Sequence, residues 1–151
     1  MDVLNEFYGS FVDESAGGSI SYVNTMAAAH TFPTDNPSVK NSCSTSSSPY
    51  ISNCDYDGAG EALAAIYGPL NARNDGTLSG ELVTFSQGDY FSGSIGLAST
   101  GYAYVPASCA DLALCRLHIS FHGCLQSTGS LDVGRNFLVW QRAGGRGGMI
   151  T

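Results

Sequence analysis

The chain has 151 residues, 43% of them hydrophobic and only 13% charged, which is enough for one ordinary domain with a core and not obviously two. Nineteen glycines suggest a turn-rich, strand-containing globule and exclude a coiled coil or a collagen repeat. A formal net charge of −7 argues against nucleic acid as a partner, because phosphate binding draws on clustered Lys and Arg.

Residues 2 to 11 place Val3, Leu4, Phe7, Tyr8 and Phe11 on one face of a helix, weakened at its end by Gly9. The stretch SISYVNT, 19 to 25, alternates Ile20 and Tyr22 with serines and reads as a strand. Pro33, Asn36 and Pro37 then forbid regular structure soon after His30, which places that histidine on a loop just past the strand. Asp57 caps a helix carrying Ala59, Leu63, Ile66, Tyr67 and Leu70, with Glu61 in its first turn and Gly68-Pro69 as its stop. Three strand-like runs follow, ELVTFSQ from Glu81, GYAYVP from Gly101 and RLHISF from Arg116, separated by Gly/Ser turns. After Ser127 the pattern decays: Phe137 to Trp140 can pack, but the Gly/Arg run beyond them builds no element. Arg135, Arg142 and Arg146 in this tail form a small, glycine-diluted group that reads as solvated.

No run approaches the ~20 apolar residues of a membrane helix. Met1 opens onto Asp2 and Glu6 rather than a basic and then apolar leader, so neither a membrane contact nor an export signal is expected in these residues. The cysteines point the other way. Cys43 and Cys54 flank a Ser/Pro loop and Cys109 and Cys115 a short one, as in secreted proteins; the opposing reading is five reduced thiols in a cytosolic chain. If both pairs close, Cys124 is left over.

His118 and His122 stand four apart, but Leu117, Ile119 and Phe121 alternate, so a strand is expected rather than a zinc-binding helix. On a strand both histidines still share a side near Cys115 and Cys124; the spacing fits no standard zinc pattern, so no metal or cofactor is assigned. His118 reads as a packed strand histidine. His122, Gly123 and Cys124 end an expected interior strand, where glycine lets backbone N–H groups turn toward a ligand. Such a loop is where α/β-hydrolases take an oxyanion donor; a tight turn with a buried histidine is the other reading, and both stay open here. A Gly-x-Ser-x-Gly nucleophile elbow is not found, since GGSIS and SGSIG each lack one glycine. Asp35 and Asp57 are candidate orienting carboxylates by proximity only, with a turn residue and a helix cap as the plainer readings.

Four strings then combine: HTFPTD from His30, NSCSTSSSPYISNCDYDGAG from Asn41, IYGPLNARNDGTLSG from Ile66, and YVPASC with CRLHISFHGCLQS from Tyr104 onward. Together they resemble the single-domain fungal extracellular poly(3-hydroxybutyrate) depolymerases over roughly residues 1 to 127. The resemblance implies an α/β fold, an incomplete, circularly permuted α/β-hydrolase, and hydrolysis of polyester ester bonds by a Ser-His-Asp triad without cofactor. It maps His30 onto the general base and Cys124 onto a backbone N–H donor of the oxyanion hole, with His122 and Gly123 in the same loop. It implies Cys43–Cys54 and Cys109–Cys115 disulfides, a polyester substrate and an extracellular location for the full-length protein. The serine elbow and triad aspartate of the family lie upstream of the point matching Met1, and residues 128–151 follow the family no further and read as a divergent, poorly ordered tail. The chain is therefore expected to be inactive alone. Two other classes compete: a noncatalytic polymer-binding module using Tyr90, Phe91, Tyr102 and Tyr104, and a zinc protein using His118 and His122.

Overall fold

The computed structural model describes residues 2–73, 77, 79–93, 96–109, 115–121, 123, 126 and 148–150. The first element is helix α1 (Asp2–Gly9). The expected apolar face is present but covered by nothing described: Val3, Leu4, Phe7, Tyr8 and Phe11 are all exposed, and Phe7 meets Phe11 with ring centroids 5.0 Å apart. A single 3-10 turn, Glu14–Ala16, follows, held by the Asp13 carboxylate accepting from the Ser15 and Ala16 N–H groups.

The expected strand over 19 to 25 does not form; the backbone from 18 to 29 is irregular. Alternation alone does not make a strand without a ladder partner, and here Tyr22 instead hydrogen-bonds the Asp2 carboxylate through its hydroxyl. His30 consequently precedes a strand rather than following one. The strand is β1 (Phe32–Thr34), and it contains the proline expected to forbid it. β1 pairs in parallel with β2 (Ile51–Asn53), Pro33 lying opposite Ser52. The ladder bonds that matter come from its neighbours: the Phe32 N–H donates to the Tyr50 carbonyl at 2.8 Å, and the Thr34 carbonyl accepts from the Cys54 N–H at 2.8 Å. A proline missing its N–H is therefore tolerated in this two-stranded sheet.

Helix α2 (Gly58–Tyr67) forms where its caps predict. The Asp57 carboxylate accepts from the Gly60 N–H at 3.0 Å, and Gly68, at φ 78°, ends the helix with its N–H on the Ala64 carbonyl. Its inward face buries Ala59 and Leu63 against Phe32 of β1, with Tyr67 alongside. Ser52 is fully buried beneath, its hydroxyl shared with Thr31 Oγ1 and the Thr45 carbonyl.

The three later strands appear as expected: β3 (Glu81–Ser86), β4 (Thr100–Val105) and β5 (Leu117–Ile119). β3 and β4 pair antiparallel through a 3-10 turn at Gln87–Tyr90. Gly101, buried on β4, lies opposite Phe85, whose ring sits where a Cβ would project, so any other residue there displaces the ring. The last element is β6 (Gly148–Ile150), antiparallel to β4 and parallel to β5, which gives a four-stranded sheet in the order β3-β4-β6-β5. A strand in this tail is an element that the sequence pattern did not indicate; the Gly/Arg run before it and the expected boundary after residue 127 lie outside the described residues. Among the described residues β5 is the last strand of this sheet, with Leu117 and Ile119 about half exposed and His118 turned inward.

The α2–β1 core predicts that Leu63→Ala, removing a side chain only 3% exposed, lowers unfolding free energy by about 2–3 kcal/mol in urea denaturation.

Candidate active site

The segment from Cys43 to Cys54 is closed by a disulfide with Cα atoms 4.7 Å apart. A second disulfide joins Cys109 to Cys115. Both pairs are those the family resemblance implied. Asn41 Nδ2, just ahead of the first loop, donates to the Ser47 carbonyl at 3.0 Å, the Tyr50 N–H closes a turn on that same carbonyl at 2.7 Å, and Tyr50 itself takes a positive φ of 60°. A non-glycine residue in the left-handed region is held there by its surroundings, here by the turn and the disulfide together.

His30 rests on this loop. The Ala29 N–H donates to the Cys43 carbonyl at 2.9 Å, Ser46 Oγ donates to the His30 carbonyl at 3.3 Å, and Phe32 is bonded to Tyr50 as described. The residues on either side of His30 are thus pinned, while its own side chain is exposed.

The second candidate loop reaches the same segment. The Gly123 N–H donates to Gln126 Oε1 at 2.6 Å, the Gln126 N–H returns to the Gly123 carbonyl at 3.2 Å, and Gln126 Nε2 donates to the Pro49 carbonyl at 2.7 Å. His122 and Cys124 lie outside the described residues, so of the oxyanion-loop candidates only Gly123 is seen.

The two candidate carboxylates are otherwise engaged. Asp57 caps α2, and both Asp35 and Asp57 pair with Arg73, Asp57 Oδ2 at 3.2 Å. Asp57 thus has the cap role and Asp35 an ion pair, and the contacts described for both go to Arg73 and α2. His118 is a packed strand histidine, with Nδ1 3.4 Å from the Tyr67 hydroxyl, which also donates to the Leu117 carbonyl at 3.2 Å. Arg116 completes the clamp, donating to the Tyr67 carbonyl at 2.9 Å with its guanidinium 5.4 Å from the ring centroid. Among the described residues no group of three His, Cys, Asp or Glu side chains is placed to hold a metal ion. No described helix is long and apolar enough to cross a membrane.

The aromatic residues considered as a polymer-binding face divide. Tyr104 is buried and accepts the Gly80 N–H on its hydroxyl at 3.0 Å, and Tyr102 is half-buried. Tyr90 and Phe91 instead line an open apolar cavity of about 200 Å³ with Phe85, Gln87 and Leu97.

Comparison with known proteins shows what this arrangement is similar to. The chain is 53% identical over 132 residues to the polyhydroxybutyrate depolymerase of Talaromyces funiculosus, covering 86% of the chain and 39% of that protein. Over most of its length the chain is thus similar to a part of a polyhydroxybutyrate depolymerase. It is also 42% identical over 135 residues to the poly(3-hydroxybutyrate) depolymerase of Delftia acidovorans, covering 87% of the chain and 26% of that protein. The crystal structure of PHB depolymerase from Penicillium funiculosum superposes with a TM-score of 0.73 at 53% identity, over 86% of this chain and 42% of that one. A serine-to-alanine variant of a PHB depolymerase complexed with an R3HB trimer superposes with a TM-score of 0.78 at 51% identity, over 94% and 44%. The chain thus spans about two fifths or less of the length of the curated relatives it matches. No family model matches it. The fold it shares with these structures mixes helix and strand as an α/β protein does.

No local pattern in the sequence singles out Gln126, Pro49 or Ser46. A glutamine three residues after a glycine is a weak turn signal, and nothing local announces a partner 77 positions away. Partial burial pushes the His118 imidazole below its ordinary value, so its protonation opposes folding. Stability from this group is therefore complete above the unfolded pKa of roughly 6.5 and declines as the pH falls below it. The urea midpoint is expected to drop between pH 7.5 and 5.5, and His118→Gln is expected to flatten that part of the profile.

Proposed function

We propose that this chain is part of a secreted serine esterase that hydrolyses ester bonds of poly(3-hydroxybutyrate) or related polyesters. The observation that carries the reading is the 53% identity to a polyhydroxybutyrate depolymerase across 132 residues. The complex of a relative with an R3HB trimer supports the substrate class, and two disulfides support an oxidising compartment.

In this reading His30 is the general base. A serine outside these 151 residues loses its proton to His30 as its oxygen attacks the ester carbonyl. The carbonyl π electrons move onto oxygen, and the oxyanion is held by the Cys124 N–H and a second donor beside the serine. Collapse of the intermediate expels the alcohol, which takes the proton from His30; water, deprotonated by the same imidazole, then frees the acid. The Gly123 N–H, bonded to Gln126, shapes the loop rather than meeting the oxyanion. The order of the chain, with the base loop ahead of β3, β4, β5 and the oxyanion loop, supports a circularly permuted α/β-hydrolase.

The 151-residue chain alone is then expected to release no p-nitrophenol from p-nitrophenyl butyrate above the buffer rate. Turnover that a serine-directed inhibitor abolishes would contradict the assignment of the nucleophile to another segment. In a longer product carrying that segment, His30→Ala should lower kcat by at least about 10³-fold.

The cavity of Tyr90 and Phe91 favours a second reading, adsorption to polymer without catalysis. If it operates, Tyr90→Ser, at a residue 82% exposed, reduces the fraction of chain sedimenting with polyester granules, whereas unchanged sedimentation removes the reading.

A further inference from the structure

The two loops of the proposed site reach the 43–54 segment at neighbouring residues. The carbonyl of Pro49 accepts from Gln126 Nε2, and the carbonyl of the next residue, Tyr50, accepts from the Phe32 N–H two positions after His30. Proline offers the chain only its carbonyl, having no N–H of its own. A primary amide has both an acceptor and donors, and Gln126 uses both kinds: Oε1 receives the Gly123 N–H while Nε2 reaches across to Pro49. With the Gln126 N–H on the Gly123 carbonyl, the turn is fastened at both ends.

We propose that Gln126 is a positioning residue, a side-chain amide that sets Gly123 against the framework carrying His30. The inference rests on the proposed ester-cleaving role of those two loops and adds to it the group that fixes their separation. The chemistry is specific. Glutamate retains an acceptor for the Gly123 N–H but, ionised, has no donor for Pro49; leucine fills a similar volume and provides neither. One substitution therefore cuts only the cross-brace, and the other cuts the brace and the side-chain bond to the Gly123 N–H.

The test is NMR on the 151-residue chain in wild-type, Gln126→Glu and Gln126→Leu forms. It follows the hydrogen exchange of the Gly123 amide and the Cε1–H resonance of His30, with the Leu63 methyl signals reporting the core. The expected result is a Gly123 amide that exchanges at least about tenfold faster in Gln126→Leu but stays protected in Gln126→Glu. The His30 resonance is expected to shift in both variants, with the Leu63 signals unmoved. An unshifted His30 resonance in both variants overturns the proposal, as does a Gly123 amide already unprotected in the wild type. Loss of the Leu63 signals in both variants also overturns it, because a part-exposed brace between loops does not hold the α2 core. None of these readouts requires hydrolysis, so the proposal can fail while the esterase reading stands, and the reverse.

Discussion

The arrangement depends on the disulfide-closed segment from Cys43 to Cys54 and on the direction in which its carbonyls point. A loop of this length would ordinarily satisfy its backbone with water. Here its carbonyls at Cys43, Pro49 and Tyr50 accept bonds from residues as distant as Ala29, Gln126 and Phe32. Each bond contributes only about 1 kcal/mol in net terms, yet together they fix the positions of two loops relative to each other, which a catalytic geometry demands far more than stability does. The covalent link restricts how the segment can open, and the buried Ser52 within it bonds through its hydroxyl to Thr31, beside His30, and to the Thr45 carbonyl.

Around this segment the molecule is unevenly built. The α2–β1–β2 unit buries Ala59, Leu63, Ile51 and Ser52 and has capped ends. By contrast α1, the turn after it and β5 present Val3, Phe7, Phe11, Leu117 and Ile119 to solvent. Exposed apolar residues in such number are what association or a missing covering surface exploits, and they dominate the solution behaviour expected of the chain. The Tyr67 clamp, joining the end of α2 to the β5 backbone through Arg116 and His118, is the described link between the well-packed unit and this more open edge.

Much of the local structure is legible in the residues because it is governed by local rules. Asp57 before Gly58, and Gly68 after Tyr67, delimit α2 because a carboxylate and a left-handed glycine each satisfy end groups that the helix cannot. The strands β3 and β4 are equally readable from their β-prone runs, whereas the glycine opposite Phe85 is set by a register that only the fold supplies. The readings that went astray depended on partners elsewhere in the chain. Ile20 and Tyr22 alternate but find no ladder, while Pro33 enters a strand because Tyr50 and Cys54 supply bonds on both sides of it. The partner of β5 in its ladder, β6, lies more than twenty residues away. Of the site, His30 and both disulfides were named through the family resemblance, whereas Gln126 and Pro49 are joined only by tertiary geometry.

The central claim, that two distant loops hang from neighbouring carbonyls, is tested most directly by scalar coupling across hydrogen bonds. Long-range experiments on isotopically labelled chain should detect coupling between Gln126 Nε2 and the Pro49 carbonyl carbon, and between the Phe32 nitrogen and the Tyr50 carbonyl carbon. Both couplings in one sample are the predicted result. Detection of the Phe32 coupling with none at Pro49, under conditions where backbone couplings in α2 are resolved, would contradict the account.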